Sequence, residues 1–598
     1  MPKLNPLSLD LLQPDFTALI THESHHEPSD WTALFPFAQR EITDFQQLPN
    51  KLLTFCISDW NTAKEYLRQL LPQSAAPQTE SYCAIFDQGE QAGVIVSPQQ
   101  LEYADIKQLD EMTKALLTNQ FGSVEEGKLR PIPEQHLTFL TAFNDADLFG
   151  EIYLNGAQQL MLSPGALLTQ RNGYLVINVP PLLENPLLWY QVKSYLLTGQ
   201  QHWQNARGAD KLRGAKLPAS VNINCKIIMT GSRSQLAELA QLDPEFASLN
   251  QQFAEVADEV KVTPSNIHLV REFINLQAEH NQLAPLDNAA LNALLQHLSS
   301  RREHRHYVQL NVSYLSKLFS RCRLIDANFT PAVLTEYIAQ QKNAMILPQS
   351  YSDESIVEQQ IPIQLQGHAV GQINGLSVVE LDGHPIEFGE VFRVTAAEFL
   401  GDGEVIDVER KAEMAGNIHS KAMMIVESYL SQVFGKEEHV PFSANIVFEQ
   451  SYSHTDGDSA AVATYVALMS ALSQQPARQD LAMTGAMDQA GNVMAVGGIN
   501  EKIAAICRTA QLKKLNSPVT VLIPASNLIN LSLDHDVLEA VKEKRLTIYA
   551  IGHVDQAISI AIDEVDTVYD AIRHRIKELG NRDDDDESWL SKCLQIFR

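Results

Sequence analysis

The sequence is poor in most features that mark an exported, membrane-bound or nucleic-acid-binding protein. Cysteine is scarce: six among 598 residues, at Cys56, Cys83, Cys225, Cys322, Cys507 and Cys593, with no CxxC pair and no zinc-like spacing. That scatter argues against a disulfide framework and points to reduced thiols. No apolar run approaches the roughly 18 residues of a spanning helix. Residues 1–30 lack a basic start followed by an apolar stretch, so no signal peptide is expected and a cytoplasmic location is. Basic charge is in deficit, with 45 Lys and Arg against 73 Asp and Glu, a formal net charge of -28. Such a surface repels phosphate backbones and anionic lipid, so neither nucleic acid nor a membrane is expected as a partner.

What is present is ordinary globular sequence, 45% hydrophobic and 20% charged, long enough for two to four cores. Residues 52–58 read as a buried strand, followed by a helix over 59–71 that Asp59 or Asn61 can cap. Further strands are expected at 82–86, 173–179 and 221–230, and a helix at 104–120. Strand, helix, strand order implies an α/β unit with a mainly parallel sheet. Helical periods dominate 235–345, with examples at 267–280, 289–297 and 314–318. Residues 350–360 are polar and acidic and suit a linker. Strands then recur near 361–370, 375–381 and 389–395, with a long helix near 411–434 and two strand–helix units over 443–510 and 518–562. Two local clusters carry alternatives. His22 to Glu27 reads as a solvated loop or a metal site, and Arg301 to His306 as a solvated helix end or a contact to an acidic neighbouring subunit. Asp583 to Asp586 reads as a solvated tail.

Two segments carry chemistry. In His454-Thr-Asp-Gly-Asp-Ser-Ala-Ala461, Ser459 stands where a loop enters a nearly charge-free helix, 460–472. Unpaired amides at such a helix start suit a developing oxyanion, and Gly457 allows close backbone approach. In Val496-Gly-Gly-Ile-Asn-Glu-Lys-Ile503, a glycine turn opens a helix with Lys502 in its first turn. The positive helix end and apolar Ile499, Ile503 and Ala504 both lower an ammonium pKa, which a lysine needs to act as a base near neutrality. Serine activated by lysine is a known variant of nucleophile plus base. Taken singly, the serine is equally an N-cap and the lysine a solvated side chain.

Together, Asp456-Gly457-Asp458-Ser459-Ala460 and Gly497-Gly498-Ile499-Asn500-Glu501-Lys502-Ile503 resemble the two active-site motifs of the Lon protease family, in its order and at its approximate distance. Gly371-Gln-Ile-Asn-Gly-Leu376 resembles the entry strand of its proteolytic domain. The resemblance spans roughly 365–560. It implies Ser459 as nucleophile, Lys502 as base and Thr484 near the lysine, with Asp458 and Gly457 as auxiliary residues. More faintly, Gly165 to Asn178 and Leu242 to Phe246 resemble ATPase blocks of one Lon branch. There the sequence departs. Where G-x-x-x-x-G-K-[ST] should follow the first strand stands Ser58-Asp-Trp-Asn-Thr-Ala-Lys64, without glycine. Where a metal-holding acidic pair should follow the strand at 174–177 stands Asn178-Val-Pro-Pro181.

The expected fold class is therefore α/β and α+β multidomain. A degenerate AAA+-like α/β region covers 1–235, a helical lid-like domain 236–350, a linker 351–364, a Lon-type α+β proteolytic domain 365–565 and a tail 566–598. The implied function is a Ser-Lys endopeptidase acting on unfolded or flexible polypeptides, ATP-independent, with no cofactor or metal and with hexameric rings by kinship. The alternatives are a non-catalytic polypeptide-binding scaffold and a conventional ATP-dependent protease.

Overall fold

The computed structural model describes residues 4–21, 30–71, 82–88, 91–97, 129–131, 135–154, 160–201, 221–249, 251–401, 403–435, 442–449 and 456–578. These divide into two compact units, Glu23–Pro285 with Leu310–Arg323, and Met1–His22 with Leu286–Gln309 and Leu324–Arg598.

The first unit is built on a five-stranded sheet. Its strands are β1 (Leu52–Cys56), β2 (Leu137–Leu140), β3 (Tyr174–Asn178), β4 (Lys226–Gly231) and β5 (Gln251–Glu255), in the order β5-β1-β4-β3-β2. All four pairings are parallel. The central strands are runs of β-branched and leucine residues buried on both faces, as a helix-covered parallel sheet requires. After β1, α1 (Trp60–Leu70) opens on Asp59, whose carboxylate accepts from the Thr62 amide at 2.8 Å. The expected strand, capped helix and parallel order are present in this sheet, but the strand expected at 82–86, Tyr82–Gln88, lies outside it and pairs antiparallel with Gln91–Ser97 and Leu129–Pro131.

The second unit holds a mixed seven-stranded sheet. Its strands are β6 (Gln372–Val379), β7 (Phe388–Leu400), β8 (Val405–Asp407), β9 (Phe442–Glu449), β10 (Leu481–Met483), β11 (Val519–Pro524) and β12 (Leu546–Ile551), in the order β8-β9-β7-β6-β10-β11-β12. β7 runs antiparallel to both β6 and β9, β8 is parallel to β9, and β6, β10, β11 and β12 form a parallel half. The helices that matter below are α2 (Asn288–Ser300), α3 (Leu347–Val357), α4 (Asn417–Phe434), α5 (Ala461–Ser473) and α6 (Ile499–Leu512). Two cores lie on opposite faces. One joins α4, α5 and a helix over residues 565–578; the other holds α6. All 13 residues of α5 are buried. It is alanine-rich and uncharged, so nothing in it requires water.

Several expectations are corrected. The linker placed at 351–364 is helical as far as Val357, because Asp353 makes a 2.9 Å ion pair with Arg508 of α6. The tail begun at 566 is, up to 578, a helix whose Val568, Tyr569, Ile572 and Ile576 enter the core. The strand near 361–370 shrinks to His368–Ala369. The helical stretch expected as one module over 236–350 is shared: Arg233–Leu242 and Ile267–His280 belong to the first unit and α2 to the second. Within the Arg301–His306 cluster, one arginine is used inside the unit. The Arg305 guanidinium donates to the carbonyls of Asp10 at 2.9 Å and Gln13 at 3.2 Å, and to that of Leu11. The helix expected at 104–120, His22 to Glu27 and Asp583 to Asp586 lie outside the described residues.

Candidate active site

Ser459 is half-buried in the turn that leads into α5. Its carbonyl is clamped by two donors from the segment leaving β10, the Gly485 amide at 2.8 Å and the Thr484 hydroxyl at 3.1 Å. The Val462 amide returns a 3.1 Å bond to the Gly485 carbonyl. The turn is thus stitched to the end of a central strand, and α5 cannot drift from it. Among the described residues the amides of Ser459 and Ala460 donate to nothing, as the first residues of a helix leave theirs unused.

The approach to Ser459 is held from the other side. Asp456 Oδ1 accepts from the amides of Ile418 at 3.0 Å and His419 at 3.1 Å, so it caps α4 from 38 residues away. Gly416, the residue before α4, has no room for a β-carbon, which would lie 2.2 Å from Asp456 Cγ. Beneath this cap the His419 ring meets Asp407 at 3.0 Å, both fully buried. Gly457 has φ 139°, a conformation that L side chains rarely adopt. An added β-carbon there would meet nothing within 4 Å, so the glycine serves the bend and not the close approach expected of it.

Lys502 lies in the first turn of α6, 4% exposed, with Ile499 and Ile503 fully buried on either side. Gly498 before it takes φ 62°, and Val378 of β6 crowds the place of its missing side chain at 2.3 Å. Burial pulls the ammonium down to about 8; the charges of Asp458, Glu303 and Glu501 oppose that pull. Asp458 therefore brings the Ser459 turn and Lys502 into one electrostatic site. Thr484 is buried and bonds the serine carbonyl; among the described residues it has no bond to the lysine. Nor, among those residues, is there a hydrogen bond between the Ser459 hydroxyl and the Lys502 amine.

Sequence reasoning missed the asparagines that carry the lysine. Asn527 brackets Val496, accepting from its amide at 2.9 Å and donating to its carbonyl at 2.8 Å. Asn500 donates to the Asn530 carbonyl at 3.1 Å and accepts from the Ser532 amide at 2.9 Å. The pattern Ser526-Asn527-Leu-Ile-Asn530 is legible locally, but its partners are some 30 residues away in the chain and nothing local names them. A cavity of about 730 Å³ opens between α4 and the hairpin that follows β10, lined by Lys421, Met424, Ile425, Met487 and Met494 among others.

In the first unit, the turn after β1 is filled by protein. Asp59 takes the Thr62 hydroxyl at 2.6 Å and the Ser313 hydroxyl at 2.6 Å. After β3, Val179 and Pro180–Glu184 turn into a helix where the acidic pair was sought.

A helix-covered parallel sheet in one unit, and in the other a mixed sheet with a serine and a buried lysine at two helix starts, define an AAA-like region and a proteolytic domain. The comparisons agree. Residues 357–564 match the Lon protease (S16) C-terminal proteolytic domain, and residues 139–257 match the LonB-like AAA domain. A putative Lon protease homolog of Haemophilus influenzae is 32% identical over 565 residues, 93% of this chain and 88% of that protein. One from Escherichia coli is 33% identical over 442 residues, 71% of this chain and 73% of that protein. An archaeal Lon protease of Thermoplasma acidophilum is 29% identical over 275 residues, 44% of this chain and 40% of that protein. The chain belongs to the Lon protease family.

Proposed function

We propose that the protein is an endopeptidase of unfolded or flexible polypeptides, with Ser459 as nucleophile and Lys502 as general base, working without nucleotide. The observation that carries this reading is a lysine buried at a helix start, its ammonium pulled down to about 8, sharing the Asp458 charge with the serine turn. As neutral amine, Lys502 takes the proton of the Ser459 hydroxyl while Oγ attacks the peptide carbonyl carbon. The amides of Ser459 and Ala460 receive the oxyanion. The lysine then returns its proton to the departing amine, leaving an acyl-serine that water hydrolyses by the same exchange in reverse. The Thr484 and Gly485 bonds to the Ser459 carbonyl hold the turn in place through both steps.

The nucleotide half of the reading rests on charge and shape. In the turn after β1, the first amides of α1 are occupied by the Asp59 carboxylate, and Trp60 stands where a glycine would admit phosphate. Immediately after β3, Asn178-Val-Pro-Pro181 stands where the carboxylates that anchor a magnesium ion would be. These residues do not fit a nucleotide phosphate, and the unit serves instead as a scaffold or gate. A cytoplasmic, six-membered ring belongs to the same proposal, by kinship alone. Cleavage of unfolded casein without ATP tests it. Ser459→Ala and Lys502→Met should each abolish cleavage, by at least about 10³-fold; full activity in either variant sinks the assignment.

A second reading is favoured by one observation. Since no hydrogen bond joins the two candidate groups among the described residues, the site is equally that of a scaffold whose dyad is retained but shut. Absence of cleavage by the native chain across unfolded substrates and pH would select it.

A further inference from the structure

The turn after α2 ends against the mount of the lysine helix. Its Arg305 amide donates to the Ile529 carbonyl at 2.8 Å. One residue pair away, the Asn530 side chain donates to the Glu303 carbonyl at 2.8 Å and accepts from Asn527 at 3.0 Å. Asn527 brackets Val496 and Asn500 bonds Asn530, so an unbroken chain of side-chain bonds runs from residue 303 to both flanks of Gly498. Glu303 itself takes φ 47°, unusual for a residue with a β-carbon and a sign that the surroundings impose it. Its carboxyl acts electrostatically on two residues of the same helix start, Glu501 and Lys502. Glu501 Oε2 is buried without a donor among the described residues, and the group facing it is the Glu303 carboxyl. Two acceptors opposed in this way need a proton between them.

We propose that the 301–306 turn is a positioning element for the lysine: Glu303, seated by Asn530 against the start of α6, tunes Lys502 for proton transfer. The proposal rests on the Ser-Lys reading above for its consequence in catalysis, but not for its physical content. The charged groups that face Lys502 are Asp458, Glu303 and Glu501, and Glu501 in turn faces Glu303 and Asp534. Burial, with Glu303 adding to it, pushes the Glu501 carboxyl up to about 7, so Glu501 is a weakened counter-charge to the amine near neutrality. Removing the Glu303 charge lowers the proton affinity of Lys502 and makes it a base at lower pH.

The experiment uses the full chain in two formats. In the first, kcat/KM for a fluorogenic unfolded casein is followed against pH; Glu303→Gln should move the ascending limb by roughly 0.5 to 1 pH unit toward acid. In the second, Ser459→Ala is carried in the background and the rate of Lys502 carbamylation by cyanate is followed against pH by peptide mass, since only the neutral amine reacts. The same shift is expected there, without any turnover. Should Glu303→Gln not fold, Asn530→Ala, which unseats the turn, is predicted to shift the carbamylation profile in the same direction. A carbamylation profile that stays at its original pH in whichever variant folds overturns the proposal. A shifted profile in a chain whose Lys502→Met variant still cleaves casein keeps the positioning role and overturns the dyad instead.

Discussion

At the scale of single residues, the site is a contest over one proton. Burial weakens the Lys502 ammonium and carboxylates strengthen it, leaving the value near 8. The neutral amine is therefore the minor form at neutrality and dominates above that value, so kcat/KM should rise with pH through about 8. Asp458 is the largest of the opposing charges, and its removal acts on the lysine alone. In Asp458→Asn the ascending limb should lie at lower pH than in the native chain, measured on the same substrate. A limb that moves toward alkali contradicts the electrostatic account. Thr484→Val deletes one of two donors to the Ser459 carbonyl while keeping shape. A buried acceptor that loses one donor of two costs about 1 kcal/mol, so kcat should fall by roughly fivefold at unchanged KM.

At the scale of elements, each half of the site hangs on a different kind of support. α4 begins on a carboxylate that belongs to the serine turn. Asp456→Ala should lower stability by about 1 to 2 kcal/mol, read as a fall in denaturation midpoint at constant slope, because two helix amides and one loop amide lose their acceptor. α2 carries a second titrating feature. Burial holds His297 down to about 4, with Arg301 and Lys342 adding to the depression and Asp534 opposing it. A histidine depressed in the folded state is neutral there while the unfolded chain takes up its proton. Its contribution to stability is thus present above about 6.5 and lost as pH falls toward about 4. Thermal midpoints should decline over that window in the native chain and decline less in His297→Phe.

These elements also show what could be read from sequence. The strand and capped helix at 52–70, the charge-free helix of the serine and the first-turn lysine were legible, because their signals are local: apolar runs, a capping aspartate, a glycine turn. The helix over 565–578 was missed because its apolar spacing lay beside an acidic tail. The end of α3 was missed because Asp353 looked like solvent-facing charge until Arg508 was placed opposite it. Asp456 was legible as part of a motif but not as a cap, since its partners lie 38 residues earlier. The roles of Glu303 and the asparagines were not legible, although the residues stood in local patterns: their meaning exists only through residues about 30 to 230 positions away.

At the scale of the whole molecule, the chain carries a LonB-like AAA match in its first half and a proteolytic-domain match in its second. The first keeps the sheet of an AAA-like domain while its phosphate turn is closed by Asp59 and Trp60. ATP with magnesium should leave the rate of casein cleavage unchanged within about twofold, and calorimetry should record no binding heat. Heat with a 1:1 stoichiometry would return the chain to the ATP-driven class. Asp59→Gly alone should not create binding, since the acidic anchor after β3 is missing as well.

The clamp on Ser459 has a consequence for how such a chain is made. Its donors, Thr484 and Gly485, and the lysine at 502 all emerge from the ribosome after the serine does, and the last strand of the sheet later still. On the proposed Ser-Lys reading, a nascent chain therefore cannot assemble its site until synthesis has passed residue 502.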